Sequence, residues 1–275
     1  MDTFYLYKFE KKERYNPMKY SKILLIIVSS LSIIFILIFM LLKYSKSKSS
    51  ERSDKAKKTE QEQKCRKLII SYLKKDIEEN KKILEKKPNV TFTRTKVKEC
   101  TTIKMKNGKP FYVKDQTVLV NAANTKFKIN RGGLNKGITD FVSTKNGIFN
   151  GRWMNLFAPK ISKYKDRIRI SKFNYGYILH LVGLQASELE GIKMKIEDVD
   201  EYLIGLYLTG LSEIEKILPR GNVLLCCVSE GIYASDGVDF QEVNFTRDEF
   251  ILRAKRARLI AVVRYEGTLN IVINN

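Results

Sequence analysis

Residues 118–138 read VLVNAANTKFKINRGGLNKGI, and the fold turns on how this stretch is parsed. The β-branched, apolar run over 117–120 predicts a buried strand. It stops at Asn121 and Asn124, which are separated by two alanines. Polar residues follow, then the Gly132-Gly133 pair and a short amphipathic run to Val142 that predicts a helix. A strand, a polar loop, glycines and a helix make up a ligand loop at the carboxyl end of a strand in an α/β sheet. Glycines between a strand and a helix also serve plain turns, so the stretch gains meaning only from a second loop beside it.

That second loop lies downstream. Residues 222–228 predict another buried strand, and Ser229-Glu230-Gly231-Ile232-Tyr233 follows it. Glycine lets backbone N–H groups approach an anion, and Tyr233 is placed to cover one. Two such loops at the ends of two buried strands flank one crevice in an open α/β sheet.

Around these loops the pattern alternates. Strands are expected over 90–98 and 101–106, with a turn at Asn107-Gly108, then over 117–120, 167–173, 177–182, 222–228, 259–264 and 268–273. Helices are expected over 198–218 and 246–255. The first carries Val199, Leu203, Leu206, Tyr207, Leu211, Ile214 and Leu218 on one side. The second opens on a capping box, Thr246 with Glu249. Strands alternating with helices imply a three-layer α/β/α fold around a mixed sheet, occupying 89–275.

The preceding part differs in composition. The 275 residues carry a formal charge of +21. Residues 1–99 hold 25 Lys/Arg against 12 Asp/Glu, so the first third carries most of the excess. Residues 1–22 form a basic tail. Residues 23–42, ILLIIVSSLSIIFILIFMLL, hold no charge, and at about 1.5 Å per residue they match a hydrocarbon core of about 30 Å. A single-pass membrane anchor is expected, with no small-residue cleavage site after it. Basic residues flank both ends, leaning slightly towards a cytosolic carboxyl-terminal part. Residues 43–64 read as a basic, solvated linker able to rest on anionic lipid. Residues 65–88 read as an amphipathic helix bearing Ile70, Leu73, Ile77 and Leu84 and ending at Pro88, which packs on the following domain or pairs as a short coiled coil.

The charge suits a polyanionic partner: a phosphorylated ligand, an anionic membrane surface or a nucleic acid. His180 is the only histidine and no CxxC spacing occurs, so neither a metal nor a cofactor is expected. Cys226 and Cys227, adjacent in an apolar run, read as buried free thiols of a reducing compartment.

Val120-Asn121-Ala122-Ala123-Asn124, followed by Gly132-Gly133-Leu134, resembles the signature of the macro domain, the ADP-ribose-binding module. Ile178-Leu179-His180-Leu181-Val182-Gly183 is similar to that family's strand ending in a Val-Gly pair. Ser229-Glu230-Gly231-Ile232-Tyr233 resembles its second phosphate loop. The likeness covers roughly 90–275. It implies that Asn121, Ala122 and Asn124 meet the distal ribose, and that Gly132, Gly133 and Leu134 present backbone to ribose and diphosphate. Ser229, Glu230, Gly231, Ile232 and Tyr233 would wrap the diphosphate. The partner implied is ADP-ribose or ADP-ribosylated protein. Hydrolysis of mono-ADP-ribosyl protein is an alternative, with Asn124 as candidate catalytic residue; a degenerate scaffold or RNA-binding domain is a further one. The chain departs from the family at Pro110, where an adenine-reading acid is usual, and at Arg131, Asn135 and Lys136 around the glycines. It departs again at Leu184, after the Val-Gly pair. Tyr265 stands near the place of the family's late aromatic.

Overall fold

Thr117–Ala122 (β2) forms the strand expected of it and lies in the middle of a six-stranded sheet. The computed structural model describes residue 40 and residues 60–123, 133–146, 164–173, 176–189, 191–234 and 245–275. The chain divides into two compact units, Met1–Cys65 and Arg66–Asn275, and every strand of the sheet belongs to the second. No helix among the described residues is long and apolar enough to cross a membrane. The expected anchor at 23–42 lies outside them, apart from Met40.

The other strands are Val90–Thr93 (β1), Ile168–Phe173 (β3), Gly176–Leu181 (β4), Asn222–Leu225 (β5) and Asn270–Asn274 (β6), in the order β1-β6-β5-β2-β4-β3. All neighbours run parallel except the β3–β4 pair, so the sheet is mixed. β2 is buried along nearly its whole length, as parallel strands covered on both faces are. Its side chains alternate between two cores. Val118 and Val120 join Leu179, Leu181, Val223, Leu225, Ile271 and Ile273 on one face. Leu119 joins Ile178, Leu224 and Val272 on the other.

The first face is covered by a helix described from 60 to 86 (α1), by Val199–Ile217 (α3) and by Arg247–Arg264 (α4). The second is covered by Gly133–Asn146 (α2), through Ile138, Phe141 and Val142, and by the segment from Val97 to Phe111. The result is three layers, α/β/α. Helix α1 packs on the domain, burying Leu73, Ile77 and Leu84, and stops at 86 because the residue before Pro88 is driven out of helical backbone. Residues 60–64, expected in the linker, are already helical.

Three expected elements are corrected. Residues 97–102 form a 3-10 turn instead of continuing a strand. Thr93 Oγ accepts from the Thr95 N–H and turns the chain, and Val97, Cys100 and Ile103 then bury at every third residue. Residues 101–106 likewise form no strand; Lys104 makes an isolated bridge to Pro110 around the expected Asn107-Gly108 turn. Residues 259–264 are the last turns of α4. The apolar run there looks strand-like, but Ala254, Ala257 and Ala261 propagate the helix with no breaker before Gly267. Helix α4 ends where the Lys87 ammonium donates to the carbonyls of Val262 and Val263 (3.1 and 2.8 Å), which have no helical partner.

Candidate functional site

From β2 the chain continues to one side of the sheet, towards β4 and β3; from β5 it continues to the other, towards β6. The carboxyl ends of β2 and β5 therefore bracket a topological switch point, where open α/β sheets carry their ligand crevice. Both predicted loops begin there.

Asn121 sits in register with His180 of β4. Its carboxamide nitrogen lies 3.1 Å from His180 Nδ1, and His180 Nε2 lies 3.0 Å from Ser171 Oγ. With the amide nitrogen donating, Nδ1 is the acceptor and Nε2–H the donor. All three side chains are buried, and burial pulls the His180 pKa down to about 3, so the ring is neutral. Asn121 thus serves the sheet, with its Oδ1 facing no donor among the described residues. Ala122 is half-buried at the strand end.

The turn after β4 and the loop after β5 touch across the end of β2. A Cβ on Gly183 would collide with Ser229 Oγ and come within 3.0 Å of Ser229 N, so only glycine allows this approach. Arg167, fully buried, holds the turn by donating to Gly183 O at 2.6 Å and meeting Glu188 at 3.4 Å. On the other side, Tyr207 of α3 donates to Cys226 O (3.1 Å) and accepts from Val228 N (2.7 Å). This fixes where the second loop leaves the sheet.

In that loop Ser229 has φ +64° and Gly231 φ +71°. Ser229 is buried, its Oγ has no partner among the described residues, and its left-handed backbone costs about 1–3 kcal/mol. Left-handed residues in a loop turn successive N–H groups to one concave side, as anion sites require. Gly231, Ile232 and Tyr233 form a 3-10 turn, with Tyr233 half-buried. Across from it Gly133, with φ +51°, heads α2 in an exposed position. Asn135 is buried and Lys136 exposed. Asn124, Gly132 and Arg131 lie outside the described residues.

Leu134 and Glu230 line a cleft of about 360 Å³ that runs from the two loops over the ends of β6 and β1. Cys226, Cys227, Lys81, Arg94, Lys255, Arg258 and Asn274 are also on its wall. Burial pushes the Cys226 thiol up to about 12 and the Cys227 thiol up to about 11, so both stay protonated. None of the four cysteines is in a disulfide. Among the described residues no three His, Cys, Asp or Glu side chains gather to hold a metal.

Sequence reading missed His180, Arg167 and Arg258. Arg258 had a legible signal, since it stands four residues from both Ala254 and Val262 on the buried stripe of α4.

No family model matches the chain, and no curated protein matches it. Among solved structures, the chain is similar to a Trypanosoma brucei macrodomain in complex with ADP-ribose: 17% identity, 68% of this chain and 62% of that one covered, TM-score 0.35. Another structure, of a Trypanosoma brucei macrodomain in crystal form 1, gives 18% identity, 68% of this chain and 61% of that one covered, and a TM-score of 0.38. The chain thus spans less than two thirds of either neighbour, and at TM-scores below 0.5 no fold assignment follows from the likeness.

Proposed function

We propose that the protein binds ADP-ribose, free or carried on protein, in the crevice at the carboxyl ends of β2 and β5. The observation that carries this reading is the convergence of three separate motifs on one point. The strand end at Asn121-Ala122-Ala123, the Val182-Gly183 turn and the Ser229–Tyr233 loop lie far apart in sequence, yet the last two touch beside the end of the first. The chemistry fits the ligand: backbone N–H groups for a diphosphate, and Asn124, two residues beyond β2 in the sequence, for ribose hydroxyls. Binding is favoured over hydrolysis because Glu230, the one acidic side chain among the described residues of the cleft wall, is paired with Lys255 at 3.0 Å and is not poised as a base. We place residues 23–42 in a membrane and the folded unit on its cytosolic side, a reading that cysteines outside any disulfide support.

Calorimetry on the full-length chain tests the reading. Saturable heat with ADP-ribose is expected, weakened by Gly231→Val, which forces a β-branched residue into left-handed backbone. Absence of heat at millimolar ADP-ribose overturns it. If binding is seen, Asn124→Ala separates reader from hydrolase: turnover of a mono-ADP-ribosylated protein that is lost while binding persists would establish the enzyme.

A further inference from the structure

The wall of the cleft away from the two loops is cationic. Lys81, Arg94, Lys255 and Arg258 line it, and Glu230 is the one acidic side chain among its described lining residues; Lys81 is paired with Glu78 at 2.6 Å. Arg258 is the unusual member. It is 4% exposed, yet no carboxylate pairs with it among the described residues. Its two terminal nitrogens donate to Asn274 O (2.6 Å) and Asn275 Oδ1 (3.3 Å), and its Nε–H has no acceptor among the described residues. A buried guanidinium without a counter-charge is costly, and such groups are retained where an anion completes them. Arg94 is exposed and also lacks a carboxylate partner among the described residues. Among the described residues Lys255 is committed only to Glu230, on a half-exposed pair that an incoming anion can exchange.

We propose that this pocket is an anion site for a phosphate monoester. With Lys81 and Lys255 each holding a carboxylate, Arg94 and Arg258 remain; a monoester carries about −1.5 to −2 charge, which matches these two guanidinium groups, and its three acceptor oxygens can use the unpaired N–H. A single carboxylate would leave one of the two guanidinium groups uncompensated. ADP-ribose has a diphosphate but no monoester, so the site goes beyond the function proposed above. It also points to ligands that bear a terminal phosphate. Glu230 belongs to both the pocket and the second loop, so the two sites adjoin.

The test is thermal unfolding and calorimetry of the full-length chain with inorganic phosphate, against sodium chloride at equal ionic strength. Phosphate is expected to raise the melting temperature and to bind saturably. Arg258→Gln should abolish the effect. Because Arg258 also holds the end of β6, Arg94→Glu is the second variant: it should weaken phosphate binding by about tenfold and leave the melting point without phosphate unchanged. The same charge reversal at exposed Lys109 should leave both phosphate binding and the melting point unchanged. Adenosine 5′-monophosphate should compete with phosphate and adenosine should not. The proposal is overturned if phosphate acts no more strongly than chloride, or if Arg94→Glu binds phosphate like the parent. It is equally overturned if only a single-stranded RNA binds, with steep salt dependence. Binding of ADP-ribose without phosphate sinks this site alone, and binding of phosphate without ADP-ribose sinks only the ADP-ribose crevice.

Discussion

His180 shows how one residue can be central to a site without touching a ligand. It bridges Asn121 on β2 and Ser171 on β3, and so ties the central strand to the antiparallel edge through a buried polar chain. The ring must stay neutral there, because burial holds its pKa at about 3 against an ordinary 6.5. Below pH 6.5 the unfolded chain takes up a proton that the folded chain refuses, so stability falls as pH drops from 6.5 towards 3. His180→Gln removes this term. The stability difference between parent and variant should then shift by about 1.4 kcal/mol between about pH 6 and pH 5, measured by urea unfolding at each pH. Parallel pH profiles for the two proteins would show that the imidazole is not held neutral.

At the scale of elements, the two strand-end loops are positioned by neighbours rather than by their own residues. Gly183 and Ser229 meet where no side chain fits, and Tyr207 and Arg167 brace them from α3 and β3's lead-in turn. Gly183→Ala is expected to cost about 1–3 kcal/mol by overpacking this contact. Adding Ser229→Gly removes the colliding Oγ and relaxes the left-handed backbone, so the double variant should recover part of the loss. A double-mutant cycle in urea reads the coupling, expected between about 0.5 and 3 kcal/mol; simple additivity would mean that the loops move apart freely.

Across the whole molecule, one face of the sheet is locked by charge as well as by apolar packing. Asp200 on α3 meets Arg253 (3.3 Å) and Arg256 (2.6 Å) on α4; Arg253 also holds Glu249 (3.0 Å), and Arg256 reaches Asp76 on α1. Asp200→Asn leaves two guanidinium groups with diminished compensation in a largely buried place, and a loss of about 3–5 kcal/mol is expected. Chemical unfolding measures the loss, and trypsin should then cut within residues 66–86 faster than in the parent. Unchanged cleavage would mean that α1 is held by its apolar residues Leu73, Ile77 and Leu84 alone.

Much of this architecture is legible in the chain itself. Local periodicity marks β2, β3, β4, β5 and α3, because a fully buried strand is continuously apolar and a packed helix shows its stripe. The two polar loops are legible too, since asparagine and glycine mark where strands give way to turns. Apolar runs mislead where length decides: 259–264 reads as a strand, yet it continues a helix that its alanines had begun. Only tertiary structure decides which loops meet. The strand order brings β5 beside β2, although almost a hundred residues separate them, and that neighbourhood sets Gly183 against Ser229. It also buries Arg258 beside Lys81 and Arg94, from helices and a strand end that nothing local connects. Charge and spacing along a chain record composition and pitch; the field within a cleft depends on distances that exist only once the layers have packed.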